Sequence, residues 1–234
     1  MTIGCITIDG PAGVGKGTVS QRLVRASSWH YLNSGALYRL VGIEARRNDI
    51  AYDNETAITE LATNLDVRFA LDAQGSRVWL GGVEVSDELI TEQTGAGASK
   101  VAAIPAVREA LLQRQRGFLQ SPGLIAEGRD MGSVVFPNAA LKIFLDASPE
   151  IRAERRYKQL KNSGADGSLR AVLTEIRSRD KRDRERSVSP LIPAEDALLI
   201  DTTALTVDQV VKRVYDLCDE RQLFVTNIGS LNQQ

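Results

Sequence analysis

Residues 3–8, IGCITI, form a short apolar run, and from Lys16 onward the chain has helical spacing, with Val19, Leu23 and Val24 on one stripe. Between them lies DGPAGVGKGT, Asp9 to Thr18. A buried strand that feeds a helix through a glycine-rich loop admits few architectures, and the loop itself suits an anion. Gly10, Gly13, Gly15 and Gly17 let the backbone curl so that successive N–H groups point inward. The helix start adds the positive end of its dipole, and Lys16 supplies a mobile cation for the outer phosphates of a ligand. Thr18 is placed to ligate Mg²⁺ through its hydroxyl. The whole loop, Gly10, Pro11, Ala12, Gly13, Val14, Gly15, Lys16, Gly17 and Thr18, is therefore the candidate polyphosphate cradle. Its spacing is G-x-x-x-x-G-K followed by Gly and then Thr, which displaces the hydroxyl residue by one from the strict P-loop pattern.

The remaining chain alternates strand and helix. Strands near residues 3, 30, 124, 142 and 198, each linked through helix, predict a parallel sheet with helices on both faces. Between them, VRFAL, RVWL and VEV, separated by DAQGS and Gly81-Gly82, predict a small antiparallel meander over residues 66–85. Helices are expected at GALYRLVGIEARRN, ETAITELATNL, SDELITEQTGAGASKVAA and PAVREALLQRQRGFLQ, from Pro149, over about 169–185, and over TVDQVVKRVYDLCDERQ. Residues after Phe224 read as a frayed tail. Ligands of such sheets bind beyond the carboxyl ends of the strands. The glycine loop, Asn33-Ser34-Gly35 and Gly128-Arg129-Asp130 all fall there.

Composition removes several partners. With 29 Lys and Arg against 30 Asp and Glu, the net charge of -1 offers no basic field for a nucleic-acid polymer or a membrane surface. No apolar run reaches the length of a membrane span. Cys5 and Cys218 lack metal spacing and read as reduced core thiols of a cytoplasmic protein. No apolar surface stripe demands a second copy, so a monomer is expected. His30, beside Trp29, reads as packing and is given no catalytic role.

Phosphate binding alone does not separate a kinase from a GTPase. Transfer between two anionic substrates requires cations aimed at the transferring group. RSRDKRDRER, Arg177 to Arg186, is dense with them, and Arg179, Asp183 and Arg186 are spaced i, i+4, i+7 along one stripe. A solvated helix face with internal ion pairs gives the same pattern. Arg129 and Asp130 sit just past an apolar strand, and Arg39 is a candidate phosphate partner. The guanine-reading segment N-K-x-D is absent from the sequence, which disfavours a GTP-dependent switch. A P-loop kinase for a different small acceptor remains the nearer alternative.

Taken together, IDGPAGVGKGT, SGALYR, EGRDMGSVVFP, KIFLDAS and RDKRDRERSVSPL resemble the bacterial cytidylate kinase family in order and spacing over about residues 3–220. The resemblance implies an α/β, P-loop nucleoside-monophosphate-kinase fold: a five-stranded parallel sheet flanked by helices, a small antiparallel β insert and a helical lid. The implied divisions are a core at 1–32, 106–148 and 169–224, a monophosphate-binding region at 33–105, a lid at 149–168 and a tail at 225–234. The implied reaction takes ATP as donor, with Mg²⁺, and CMP or dCMP as acceptor. Lys16, Arg129 and Arg186 take catalytic roles by resemblance. Ser34, Arg39, Arg129 and Arg186 would surround the CMP phosphate end, Ser99, Arg108 and Asp130 would read cytosine, and Arg179 and Asp183 would meet the sugar. Arg152, Arg155 and Arg156 are the candidate lid cations. Asn33 departs from the family, whose members commonly carry Asp before Ser-Gly. No general base is needed, because the acceptor oxygen is already anionic.

Overall fold

The computed structural model describes residues 3–72, 75–162 and 168–224. In chain order the elements are β1 (Gly4–Asp9), α1 (Lys16–Ser27), β2 (His30–Asn33), α2 (Ser34–Arg47), α3 (Glu55–Thr63), β3 (Val67–Asp72), β4 (Gly75–Leu80) and β5 (Val83–Glu84). There follow α4 (Ser86–Leu89), α5 (Glu92–Val101), α6 (Pro105–Arg116), β6 (Gly123–Gly128), β7 (Leu141–Asp146), α7 (Pro149–Asn162), α8 (Leu169–Glu185), β8 (Leu198–Asp201) and α9 (Val207–Glu220). They form two compact units, one built from the chain up to Asn33 and from Gln115 onward, the other from Ser34–Arg114.

The first unit is organised by β1, whose Ile6 and Ile8 are fully buried. It pairs in parallel with β6 on one side and β7 on the other, giving the order β2-β6-β1-β7-β8. β2 and β8 extend the sheet at its edges, also in parallel. The apolar runs of β6 and β7 reflect this, since strands covered on both faces lose the polar alternation of half-exposed ones. The register places Asp9 beside Gly128 and Asn33 beside Glu127. The carboxyl ends of β1, β2 and β6 thus share one rim, as the sequence predicts. α9 is held at its start by a reciprocal pair, the Thr206 hydroxyl accepting from Gln209 N–H and the Gln209 side chain accepting from Thr206 N–H. Cys5 and Cys218 are both free thiols in the core, and burial pushes each up to about 12.

In the second unit, α2 packs on α5 where Gly42 meets the backbone of Gly97 and Ala98. The expected insert is an antiparallel sheet in the order β3-β4-β5. Part of the DAQG string, and the tail after Phe224, lie outside the described residues. One expected helix is divided. Thr91 adopts an extended backbone and its hydroxyl accepts from Thr94 N–H, so α5 starts afresh after α4 has ended. After β6 the chain also makes a five-residue π-type helical turn at Met131–Val135, an element not among those expected from the sequence.

His30 also differs from expectation: it is exposed, its Nε2 lying 2.9 Å from the Ser121 carbonyl oxygen. Trp29 does the packing instead. Its ring covers Gly4 and Gly123, neighbours across β1 and β6, and meets Phe224 edge-on at 5.2 Å. A Cβ at Gly123 would fall 2.3 Å from the ring. Gly123→Ala is therefore expected to cost about 2 kcal/mol through overpacking, and Trp29→Leu in the same chain should recover part of it. Thermal denaturation checks both, and an unchanged melting temperature in Gly123→Ala contradicts the packing.

Candidate active site

The loop between β1 and α1 is held open by its glycines. Gly10 has φ 143°, and a Cβ there would meet the Leu145 carbonyl oxygen at 2.0 Å. Gly15 stands before α1 in the left-handed region, with φ 100°. Lys16 is buried, and its Nζ donates to the carbonyl oxygens of Gly10 (2.8 Å) and Pro11 (2.7 Å). Burial, and then the Arg129 guanidinium, lower the Lys16 ammonium well below the usual lysine range; Arg179 adds to this and Glu127 opposes it. These four side chains therefore share one electrostatic field. A polyphosphate arriving there would offset the arginine charge and favour the protonated ammonium. Thr18 is exposed in the first turn of α1.

Asp9, the last residue of β1, braces the neighbouring rim. Its carboxylate accepts from the backbone N–H groups of Met131 (2.9 Å) and Gly132 (2.8 Å), the start of the helical turn that follows Arg129 and Asp130. Burial pushes this acid up to about 6 despite the two hydrogen bonds. Glu127 is also buried, and its Oε1 accepts from the Tyr31 hydroxyl at 2.5 Å. Burial, and then the Glu127 carboxylate, raise the Tyr31 hydroxyl well above the usual tyrosine range, so it acts as a proton donor. Neither Asp9, Glu127 nor Tyr31 is singled out by spacing. Asp9 opens the glycine loop and Glu127 opens EGRDMG, which are the signals that mark them.

α8 brings the arginine-rich run to this rim, though not as a simple cationic stripe. Its buried positions are Val172, Ile176, Asp180 and Asp183, so the inward face is acidic in its last turns. Arg129 Nε donates to Asp183 Oδ2 at 2.9 Å. Burial pushes Asp183 up, but the fields of Arg129, Arg179 and Arg186 and the Arg129 hydrogen bond prevail, and its carboxyl lies below the usual range. Arg186 is the residue after the last turn of α8, in extended backbone; its Nε donates to the Ser189 carbonyl, and its Nη2 lies 4.0 Å from Asp130 Oδ1. On the outward face, Arg177 pairs with Glu150 and Arg182 with Glu175. The solvated-face reading thus holds for those arginines, and the site reading concerns the inward ones.

The three candidate lid cations do not act alike. Arg152 is 1% exposed and cannot swing as a surface cation. It grips Asp180 with both terminal nitrogens (3.0 and 2.5 Å), reaches the Ala12 carbonyl of the glycine loop (3.1 Å), and donates through Nε to the Ala147 carbonyl (2.9 Å). Arg155 is turned onto Thr202 and the Leu205 carbonyl. Arg156 is half-buried and reaches Gln159 at 3.5 Å. Arg152 is not a mobile lid cation because α7 packs on α8 through Ala153, Val172 and Ile176, which turns it inward. Residues 163–167 of the expected lid lie outside the described residues.

The second unit carries the other candidates. Ser34 and Ser99 are buried. Arg39 donates to the Leu89 carbonyl. Arg108 is buried, with Nη1 3.4 Å from the Ala102 carbonyl oxygen and its guanidinium 5.5 Å from the centre of the Tyr38 ring.

Replacing Asp183 by Asn leaves Arg129 without its carboxylate and is expected to cost about 3 kcal/mol at neutral pH. Because the folded acid lies below its ordinary value, its contribution is present above the ordinary carboxylate range and is lost as pH falls through the folded value. Melting temperatures of Asp183→Asn and the parent chain should therefore converge on acidification. Equal stability at neutral pH contradicts the pairing.

Comparison with known proteins agrees with this geometry. The family pattern described as cytidylate kinase matches residues 6–220. A cytidylate kinase of Aeromonas hydrophila is 55% identical over 216 residues, covering 92% of this chain and 94% of that one. One from Pseudomonas aeruginosa (strain LESB58) is 56% identical over 219 residues, covering 93% and 95%. One from Azotobacter vinelandii is 53% identical over 220 residues, covering 93% and 96%. With the loop, the rim and the arginine-bearing helix in place over that span, the chain belongs to the cytidylate kinase family.

Proposed function

We propose that this chain transfers the γ-phosphoryl group of ATP to CMP or dCMP, forming ADP and CDP or dCDP. The observation that carries the reading is the glycine loop at the sheet rim, curled at Gly10, Gly13 and Gly15 around the buried Lys16 ammonium, with Arg129 close enough to share its field. In the reaction, a phosphate oxygen of the acceptor forms a bond to the γ-phosphorus, and the bond from that phosphorus to the β,γ-bridging oxygen breaks. The attacking oxygen is anionic before it reacts, so no side chain has to remove a proton. What the protein supplies is position and compensating charge. The loop Gly10–Thr18 holds the donor phosphates and Lys16 meets the transferring group.

Arg129 and Arg186 neutralise the acceptor phosphate, together with Ser34 and Arg39. Ser99, Arg108 and Asp130 read cytosine: a carboxylate accepts from the exocyclic N4 amine and arginine donates to ring acceptors. Arg179 and Asp183 meet the sugar hydroxyls. Arg152 and Arg155 are engaged inside the fold and are given no lid role. The substrates are small nucleotides, and the reaction belongs in the cytoplasm; among the described residues no helix is long and apolar enough to cross a membrane.

The residues present suit Mg²⁺. Thr18 and Glu127 offer hard oxygen donors at the first turn of α1, where Glu127 Oε1 lies 3.5 Å from the point a Cβ of Gly17 would occupy. Among the described residues no group of three or more His, Cys, Asp or Glu could hold a metal. Phosphate oxygens would therefore complete its coordination, as is usual for this ion. When bound, Mg²⁺ supplies charge neutralisation between the donor phosphates.

The reading is tested with an acceptor panel under Mg·ATP, measuring ADP release. CMP and dCMP should support turnover at least about tenfold faster than AMP, GMP or UMP. ATP binding without CMP-stimulated ADP formation would favour a nucleotide switch instead. Lys16→Ala and Arg186→Ala should each lower turnover by at least about a hundredfold in a folded protein; full activity in either variant removes that residue from the mechanism.

A further inference from the structure

Three side chains from three elements meet at the Tyr31 hydroxyl. It donates to Glu127 at the end of β6, and it also hydrogen-bonds with the side chains of Gln21 on α1 and Asn33 at the end of β2. A phenol has one proton to give and otherwise accepts. With that proton committed to Glu127, the two amides must serve as donors to the phenolic oxygen. Asn33 can do so, whereas an ionised Asp cannot. Asn33 and Glu127 are also register partners on adjacent strands, so an acid at 33 would stand beside the Glu127 carboxylate. Glu127 in turn lies against Gly17, where the P-loop lacks a side chain and the hydroxyl has moved to Thr18.

We propose that Tyr31 is a positioning residue: held by Gln21 and Asn33, its hydroxyl fixes the Glu127 carboxylate beside the first turn of α1 for Mg²⁺·ATP, and the amide at position 33 is what this arrangement requires. An acid restored at 33 competes with Glu127 for the single hydroxyl proton and repels its carboxylate. The proposal rests on the reading of this loop as a Mg²⁺·ATP site.

The test measures equilibrium binding of a ribose-labelled fluorescent ATP, with Mg²⁺ titrated from zero, to the full chain and to Tyr31→Phe, Asn33→Asp and the double variant. Tyr31→Phe removes one oxygen, and melting curves establish that each variant is folded. Tyr31→Phe and Asn33→Asp should each raise the Mg²⁺ concentration for half-maximal tightening by about tenfold, with metal-free affinity unchanged within about twofold. Because Asn33→Asp acts in part through the hydroxyl that Tyr31→Phe removes, the double variant should fall short of the product of the single effects. Should Asn33→Asp fail to fold, Tyr31→Phe alone decides. Half-saturation unchanged in Tyr31→Phe, an equal loss of metal-free binding, or fully multiplicative effects would each overturn the proposal. If the parent chain itself shows no Mg²⁺-dependent tightening, the Mg²⁺·ATP reading falls and takes the proposal with it; tightening that is the same in parent and variants sinks the proposal alone.

Discussion

Cations can be concentrated at a sheet rim only if something holds them there before the phosphates arrive. In the first unit that role falls to buried carboxylates. Arg152 is locked to Asp180 and Arg129 to Asp183, while Arg186 stands by Asp130. Taking such charges out of water is costly, and attraction between partners repays it only when the geometry is good and the remaining donors are satisfied. Arg152 meets that condition, since its other hydrogen bonds go to the carbonyls of Ala12 and Ala147. The same side chain thereby ties the glycine loop to α8. The helix proposed to bring acceptor-side residues is thus anchored to the loop proposed to hold the donor.

A second constraint comes from the topology. Parallel strands in the order β2-β6-β1-β7-β8 put their carboxyl ends on one side, and adjacency decides which ends can cooperate. β1 lies next to β6, so Asp9 can reach the backbone of Met131 and Gly132 and set the turn that presents Arg129 and Asp130. β6 lies next to β2, so Glu127 can meet the hydroxyl of Tyr31. Neither link exists unless the chain leaves β1, crosses through α1 and the second unit, and returns as β6. The placement of these candidate residues is a consequence of strand order.

Much of this was legible in the amino-acid sequence where the signal is local. The loop at Asp9–Thr18 announces itself, the five expected strands become the five strands of the sheet, and the polar segment 169–185 becomes α8. The insert at 66–85 was visible because alternation and paired glycines are short-range features. What stayed hidden depends on partners far along the chain. Arg152 lies on α7 with Arg155 and Arg156 at helical spacing, and nothing nearby says that Asp180, 28 residues later, draws it inward. Tyr31 reads as one residue of a short strand until Glu127, 96 residues away, is seen against it. Asn33 was noticeable as an odd residue, but the link to Tyr31 proposed for it depends on Glu127 and cannot be read locally. The break between α4 and α5 was missed because a single threonine cap outweighs continuous helical periodicity.

The central claim is that this rim delivers a phosphoryl group to a second nucleotide's phosphate. Phosphorus-31 NMR of the chain with Mg²⁺, ATP and CMP tests it most directly, by following every product at once. Equal amounts of ADP and CDP, with little inorganic phosphate, are predicted. ADP accompanied by inorganic phosphate and no CDP would show that water is the acceptor, and would contradict the account.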